Sequence, residues 1–310
     1  MTWILLATLG QLLNAVVAVV DKYLVTDEKA LPRPFVYAFY SCIVAGFWLV
    51  VYLVSLLPGF SEVGMPHFKN IETPTIQVIG MSFLAAYTFF MALVSLYDAL
   101  KNSDASDALP VIGAVSAIST FGLSYLLLDA RLSPNFIYGI LLLAIGTLLV
   151  SQIRFTPTIV LHTVHSGLFF ALHYIAMKGL FLETSFDDGF FWSRLCLVLF
   201  ALSMLLVPAY YEKISDQTKV TSYRTGALVM VNKIFAGVAA FLLLKATDWG
   251  DVAVVQALDG LKFVFILIIS IFFGKFIPAS AGENEHDFKT VVRKFLYVII
   301  ITVGFVLLFG

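Results

Sequence analysis

The chain has 310 residues, of which 60% are hydrophobic and 13% are charged, and its formal net charge is −1. Soluble domains carry about 25% charged residues, and nucleic-acid-binding domains are usually strongly basic, so the composition excludes both classes. The apolar residues extend along the whole chain. This pattern predicts a multi-pass integral protein of the cell or inner membrane, with the lipid bilayer as its surroundings.

The spanning segments follow one another with mostly short connections. A spanning helix needs about 20 mainly apolar residues. The first run lacks a basic region and a cleavage site before it, which predicts a spanning helix rather than a signal peptide. Longer polar links occur at 58–74, 210–221 and 274–290. The ten predicted spans are 3–25, 34–57, 75–99, 105–128, 134–152, 157–181, 188–209, 225–245, 252–273 and 291–309.

The two halves of the chain resemble each other weakly but in the same order. Residues 99–114 align without gaps on residues 246–261, an offset of 147, and Lys22 and Lys178 occupy matching places near the ends of spans one and six. Because each half has an odd number of spans, the second half crosses the membrane in the opposite sense. The sequence therefore predicts an all-α protein of ten transmembrane helices, arranged as two inverted five-helix repeats, 1–153 and 154–310.

Two aspartates in the aligned segments suit helix starts. Asp104 and Asp251 each precede an apolar run, where a carboxylate accepts backbone N–H bonds as an N-cap. The matching Gly113 and Gly260 predict places where helices approach closely.

A resemblance to a known family is strongest in residues 99–151, which read ALKNSDASDALPVIGAVSAISTFGLSYLLLDARLSPNFIYGILLLAIGTLLVS. This stretch resembles the helix 3–4–5 region of EamA-type proteins in the drug/metabolite transporter superfamily. The turn DARLS carries Ala130 where the family usually has Glu. The resemblance implies a central cavity between the repeats, walled by helices 1, 3, 4, 6, 8 and 9, with helices 5 and 10 outside.

Polar side chains at membrane depth are the candidates for a substrate site, because they must face protein or water. Asp21, Lys22 and Lys178 lie near helix ends, where snorkelling to the interface explains them. For Arg194 two interpretations are open, snorkelling or a position against the C-terminal end of a neighbouring helix. Asp21, Asp259 and His173 are candidates for coupling or gating. The predicted substrate-binding residues are Asn14, Tyr87, His165, His173, Asn232, Lys233, Gln256, Asp259 and Lys262.

Three charges in the second half leave two readings open. Asp259 and Lys262 can form an i,i+3 ion pair, with Lys233 as a third member from the neighbouring helix. One acid with two bases leaves a surplus positive charge, which invites an anionic substrate or another acid such as Asp21. Structural pairing and a substrate-facing role both remain alternatives.

These features lead to an expected function. No phosphate-binding motif of the Walker type is present, and no nucleophile–base pair or metal set stands out, so neither enzyme activity, a cofactor nor a metal is predicted. The leading interpretation is a secondary transporter, monomeric or homodimeric, which moves a small polar or anionic metabolite by alternating access, with proton coupling as an option. Alternatives are an exporter of lipophilic cations, a lipid-type flippase and a non-transporting membrane receptor or assembly subunit.

The orientation of the chain is left open by two conflicting signals. Lysine and arginine are more numerous on the side opposite both termini, which predicts termini outside. Members of the resembled family keep both termini in the cytoplasm.

Overall fold

The computed structural model describes residues 2–28, 30–56, 65–103, 105–129, 134–150, 156–273, 299–300 and 303–304. These residues form helices and no strand. Short 3₁₀ segments occur at Phe47–Val50, Phe68–Asn70 and Met204–Leu206. The α-helices are α1 Thr2–Thr26, α2 Pro34–Gly46, α3 Val51–Val54, α4 Ile76–Asn102, α5 Ala105–Leu127, α6 Pro134–Val150, α7 Pro157–Glu183, α8 Phe186–Ser203, α9 Pro208–Val220, α10 Tyr223–Trp249, α11 Val252–Ala257 and α12 Gly260–Phe273.

Seven helical segments of the described chain are long and apolar enough to cross a membrane. They correspond to predicted spans one to four and six to eight, so the chain is an all-α, multi-pass membrane protein. The predicted fifth span is the shorter helix α6, with 17 residues. Most of the predicted tenth span, 291–309, lies outside the described residues.

Side-chain caps mark where several helices begin. Thr75, Thr156, Ser185 and Ser222 each accept a hydrogen bond from a backbone N–H in the first turn that follows. Asp251 does the same for α11, accepting from Ala253 N at 2.8 Å and Val254 N at 3.4 Å. The predicted cap at Asp251 is therefore confirmed, whereas Asp104 lies outside the described residues.

Two predicted segments differ from the structure. The ninth span, 252–273, is not one continuous helix, because the chain makes a turn at Leu258–Asp259 between α11 and α12. The polar link 210–221 is instead largely helical, as α9. A proline in its first turn favours helix initiation, and its buried Ile214 gives it an apolar anchor.

Helix α1 has one exposed apolar face and one face that packs against the rest of the protein. Leu5, Leu9, Leu12 and Val16 are exposed, and their spacing of three to four residues places them on one side of the helix. Gly10 lies on the other side, where a Cβ would come within 2.8 Å of Leu243 on α10. Small residues of this kind allow membrane helices to pack closely.

Among the described glycines, Gly237 on α10 has the closest neighbouring side chain. A Cβ built there would lie 1.4 Å from Nε1 of Trp48, so the indole occupies the space that any side chain would need. Gly226, on the same helix, has nothing within 4 Å of the equivalent position. Gly237 is thus required by packing and Gly226 is not.

The Gly237→Ala substitution is expected to destabilise the protein by about 1–3 kcal/mol, because the added methyl displaces the Trp48 ring. Thermal unfolding in detergent, with tryptophan fluorescence as the signal, measures this. Gly226→Ala is the matched control and should stabilise the helix by up to about 1 kcal/mol. Equal melting temperatures for the two variants would contradict the close contact.

Candidate functional site

A cavity lies among the helices, with about 1230 Å³ of space not occupied by atoms, the solvent at its mouth included. Its wall comes from α1, α2, α4, α5, α7, α8, α10, α11 and α12, and from the segment that holds Trp48. All six helices expected from the family resemblance contribute. The second and seventh spans, α2 and α8, contribute as well. None of the described α6 residues lines it, as the resemblance implies for helix 5.

The charged residues of the wall are two acids and three bases. The acids are Asp21 on α1 and Asp259 in the turn between α11 and α12. The bases are Arg194 on α8, Lys233 on α10 and Lys262 on α12. The pairing of these five groups decides which charge remains available for a ligand.

Asp21 and Lys233 form a buried ion pair between α1 and α10. Lys233 Nζ lies 2.8 Å from Asp21 Oδ1, and both side chains are almost fully enclosed. The Asn232 amide donates to the same oxygen at 2.7 Å, and the Tyr37 hydroxyl donates to it as well. The sequence offered two acids for Lys233, Asp259 and Asp21. The structure pairs it with Asp21, which is 212 residues away in the chain.

Aromatic rings complete the surroundings of Lys233. Its Nζ donates to the Tyr97 hydroxyl at 2.9 Å and lies 4.2 Å from the centre of the Tyr37 ring. A desolvated ammonium gains about 2 kcal/mol from such a ring. These contacts join α1, α2, α4 and α10, and the ion pair of Asp21 and Lys233 at their centre has no net charge.

Asp259 and Lys262 form the predicted i,i+3 pair. Lys262 Nζ lies 2.8 Å from Asp259 Oδ1 and 2.9 Å from Oδ2. A Cβ on Gly113 of α5 would come within 2.7 Å of Asp259 Oδ2, so the predicted close approach at Gly113 holds and brings this carboxylate to α5. The pair sits at the break between α11 and α12, and such discontinuous helices are typical of transporter sites.

Arg194 is the wall cation that has no acidic partner among the described residues. It is 4% exposed, and its Nε makes no hydrogen bond. Its guanidinium lies 5.1 Å from the centre of the Phe190 ring, a contact worth at most about 2 kcal/mol. Burying an ion costs several kcal/mol, so the ring does not compensate the charge.

Snorkelling, one of the two interpretations of Arg194, is wrong, because its side chain is buried in the cavity wall. Arg194 is eight residues from the start of α8, about 12 Å along the axis at 1.5 Å per residue, and its side chain turns into the cavity. A sequence signal was available. No acid stands three or four residues from Arg194 on either side, so no neighbour on its own helix can pair with it.

Three amide side chains also lie in the wall. Gln11 and Asn14 lie on α1, and Gln256 lies on α11. Gln256 accepts a hydrogen bond of 3.0 Å from Ser116 on α5. The buried Oε1 of Gln11 has no partner in the described chain.

The structure brings some of the predicted site residues to the cavity and not others. Asn14, Lys233, Gln256, Asp259, Lys262 and Asp21 line it. Four others do not lie in its wall and make their contacts elsewhere. His173 contacts the Ala85 carbonyl through Nδ1 at 2.9 Å, His165 contacts Ser95 at 2.7 Å, Tyr87 packs on Phe169 and Phe200 at an exposed position, and Asn232 lies behind Asp21.

Lys22 and Lys178 do not snorkel either. Lys22 Nζ donates to the carbonyls of Leu100 and Ser103 at the end of α4. Lys178 Nζ donates to the carbonyls of Thr247, Asp248 and Gly250 at the end of α10. Each lysine thus neutralises the partial negative charge at a helix C-terminus.

Metal binding receives no support from the described residues, in which no group of three or more His, Cys, Asp or Glu side chains could hold an ion. The cysteines Cys42 and Cys196 are free and buried.

Comparison with known proteins adds a family and a fold. Residues 1–152 match the model of the EamA-like transporter family. One solved structure, described as "Crystal structure of protein", matches over 99% of this chain and 97% of its own, with a TM-score of 0.65 and 17% sequence identity. At this identity the likeness shows a shared fold alone. No curated protein sequence matches the chain.

Proposed function

We propose, from the membership of this chain in the EamA-like transporter family, that it is a secondary transporter for a small anionic metabolite. The family makes the chain a multi-pass membrane transporter, and the proposal adds the charge of the substrate. It rests on the cavity and on the pairing of the charges in its wall.

The single observation that carries the proposal is the unpaired Arg194. The two acids of the wall are each bound to a lysine, at 2.8 Å in both pairs, so the surplus positive charge is that of Arg194. A guanidinium presents several donors in a planar fork, which matches a carboxylate or a phosphate. An anion entering the cavity would replace the water that Arg194 has lost and would cancel its charge.

The same pairing argues against an exporter of lipophilic cations. Such a site needs an acid that is free to face the substrate. Asp21 and Asp259 both contact a lysine in the described structure. A cation in this cavity would meet a net positive wall.

Alternating access between two inverted five-helix repeats, 1–153 and 154–310, is the mechanism that we propose. The contacts of Lys22 and Lys178 support it, because the carbonyls of Leu100 and Ser103 are offset by 147 residues from those of Thr247 and Gly250. That offset is the one at which the two halves align in sequence. In each half, a lysine from the first helix caps the third.

Proton coupling remains a prediction. Of the three side chains suggested for it, Asp21 and Asp259 line the cavity and His173 does not. A monomer or a homodimer also remains a prediction.

Flux measurements in proteoliposomes test the proposal. We expect saturable uptake of a labelled small carboxylate or phosphate that excess unlabelled anion suppresses. A labelled lipophilic cation and a fluorescent lipid report on the two alternatives, and protein-free liposomes give the background. Movement of the cation or of the lipid, without uptake of any anion in the panel, would overturn the proposal.

A further inference from the structure

We propose that Gln11 and Asn14 form a second recognition point, which binds a hydroxyl or amino group of the anion held by Arg194. This inference rests on the proposed function and narrows its substrate class to anions that carry such a group. It concerns the α1 side of the same cavity.

The two amides share one face of α1. They are three residues apart, and side chains at that spacing are neighbours on a helix. Both line the cavity, as does Asp21 farther along the same helix. Gln11 is nine residues from the start of α1, about 14 Å along the axis. Its amide is therefore near mid-membrane depth, where bulk water cannot solvate it.

Neither amide makes a side-chain hydrogen bond within the described residues, and Gln11 is 1% exposed. Leaving a buried polar group without a partner costs about 1–3 kcal/mol. An amide offers a carbonyl acceptor and two N–H donors. A hydroxyl can satisfy either end, and a protonated amino group can donate to the carbonyl oxygen.

Two of the four unpaired buried polar atoms of the described chain belong to residues of the cavity wall. Four buried side-chain atoms of the described chain lack a hydrogen-bond partner: Gln11 Oε1, Arg194 Nε and the hydroxyls of Ser82 and Thr120. Gln11 and Arg194 both line the cavity, whereas Ser82 and Thr120 do not. One ligand with a charged end and a hydrogen-bonding end would satisfy both cavity groups.

Gln256 shows that an amide in this wall does not need a ligand to be satisfied. Ser116 donates to it at 3.0 Å. Gln11 and Asn14 have no such neighbour. The amides without a hydrogen-bond partner therefore lie on α1, whereas the amide on α11 has one.

Binding of matched anion pairs to the purified full chain tests this inference. Malate is compared with succinate, and lactate with propionate, by thermal shift and by calorimetry. Aspartate and alanine, whose protonated amino group adds one positive charge, are measured beside them. We expect the member with the hydroxyl or amino group to bind about tenfold more tightly. The two substituents also distinguish a hydroxyl from an amino ligand.

The double substitution of Gln11→Leu and Asn14→Leu should reduce this preference to about twofold, while the plain anion binds as before. Asn102→Ala is the control, because Asn102 is exposed and its amide donates to Asp98 O outside the cavity. Equal affinity within each pair, or a preference that the double variant keeps, would overturn this inference alone. Failure of every anion to bind the wild-type protein would overturn the proposed function with it.

Discussion

Replacing Arg194 with glutamine is expected to reduce anion uptake by about 100-fold or more. The substitution removes the unpaired wall cation, and loss of one member of a buried charge pair costs about 2–5 kcal/mol of binding. The stability of the folded protein should not fall, because the substitution removes an uncompensated buried charge, which is itself destabilising. Uptake in proteoliposomes and thermal unfolding in detergent measure the two effects separately.

Arg194→Lys is the matched control for this prediction. It keeps the charge but loses the planar fork, so we expect uptake between that of the wild type and that of Arg194→Gln. Normal uptake by Arg194→Gln would contradict the site. A fall in melting temperature, together with lost uptake, would indicate that Arg194 supports the fold instead.

Breaking the pair of Asp21 and Lys233 is expected to have the largest effect on stability. Asp21→Asn leaves the Lys233 ammonium buried without a counter-ion, and Lys233→Met leaves the Asp21 carboxylate in the same condition. Each single substitution should cost about 3–5 kcal/mol, because an isolated charge remains in a closed site. Chemical or thermal unfolding of the purified protein measures the loss.

The double variant Asp21→Asn with Lys233→Met should recover most of this loss, since no unpaired charge remains. The exposed pair of Lys219 and Asp216, at 3.8 Å, is the control and should contribute about 0–1 kcal/mol. Additive effects of the two single substitutions would contradict a direct ion pair.

Hydrophobic run length predicted much of the fold, because a spanning helix must satisfy its own backbone and present apolar side chains to lipid. The start of α11 was also predicted from the sequence, since Asp251 precedes an apolar run and caps the helix through local hydrogen bonds. Local rules did not predict the turn at Leu258–Asp259. That turn lies where α5 approaches through Gly113, a contact between segments distant in sequence.

The candidate site was also predicted only in part, because local rules identify contacts within one helix but not contacts between distant segments. The pair of Asp259 and Lys262 was predicted from the sequence, because residues three apart are neighbours on a helix. Lys233 has its partner on α1, which only the packing of α1 against α10 brings into contact. Arg194 was misread because its distance from a helix end fits both a snorkelling side chain and a buried one.

The most direct test of an anion-binding cavity is the thermal shift of the full chain with increasing concentrations of a small anion, in the wild type and in Arg194→Gln. A ligand that binds only the folded state at 100 times its Kd stabilises that state by about 2.7 kcal/mol. We expect a saturable rise in melting temperature for the wild type and none for Arg194→Gln at the same anion concentration. An equal rise in both proteins would contradict this expectation.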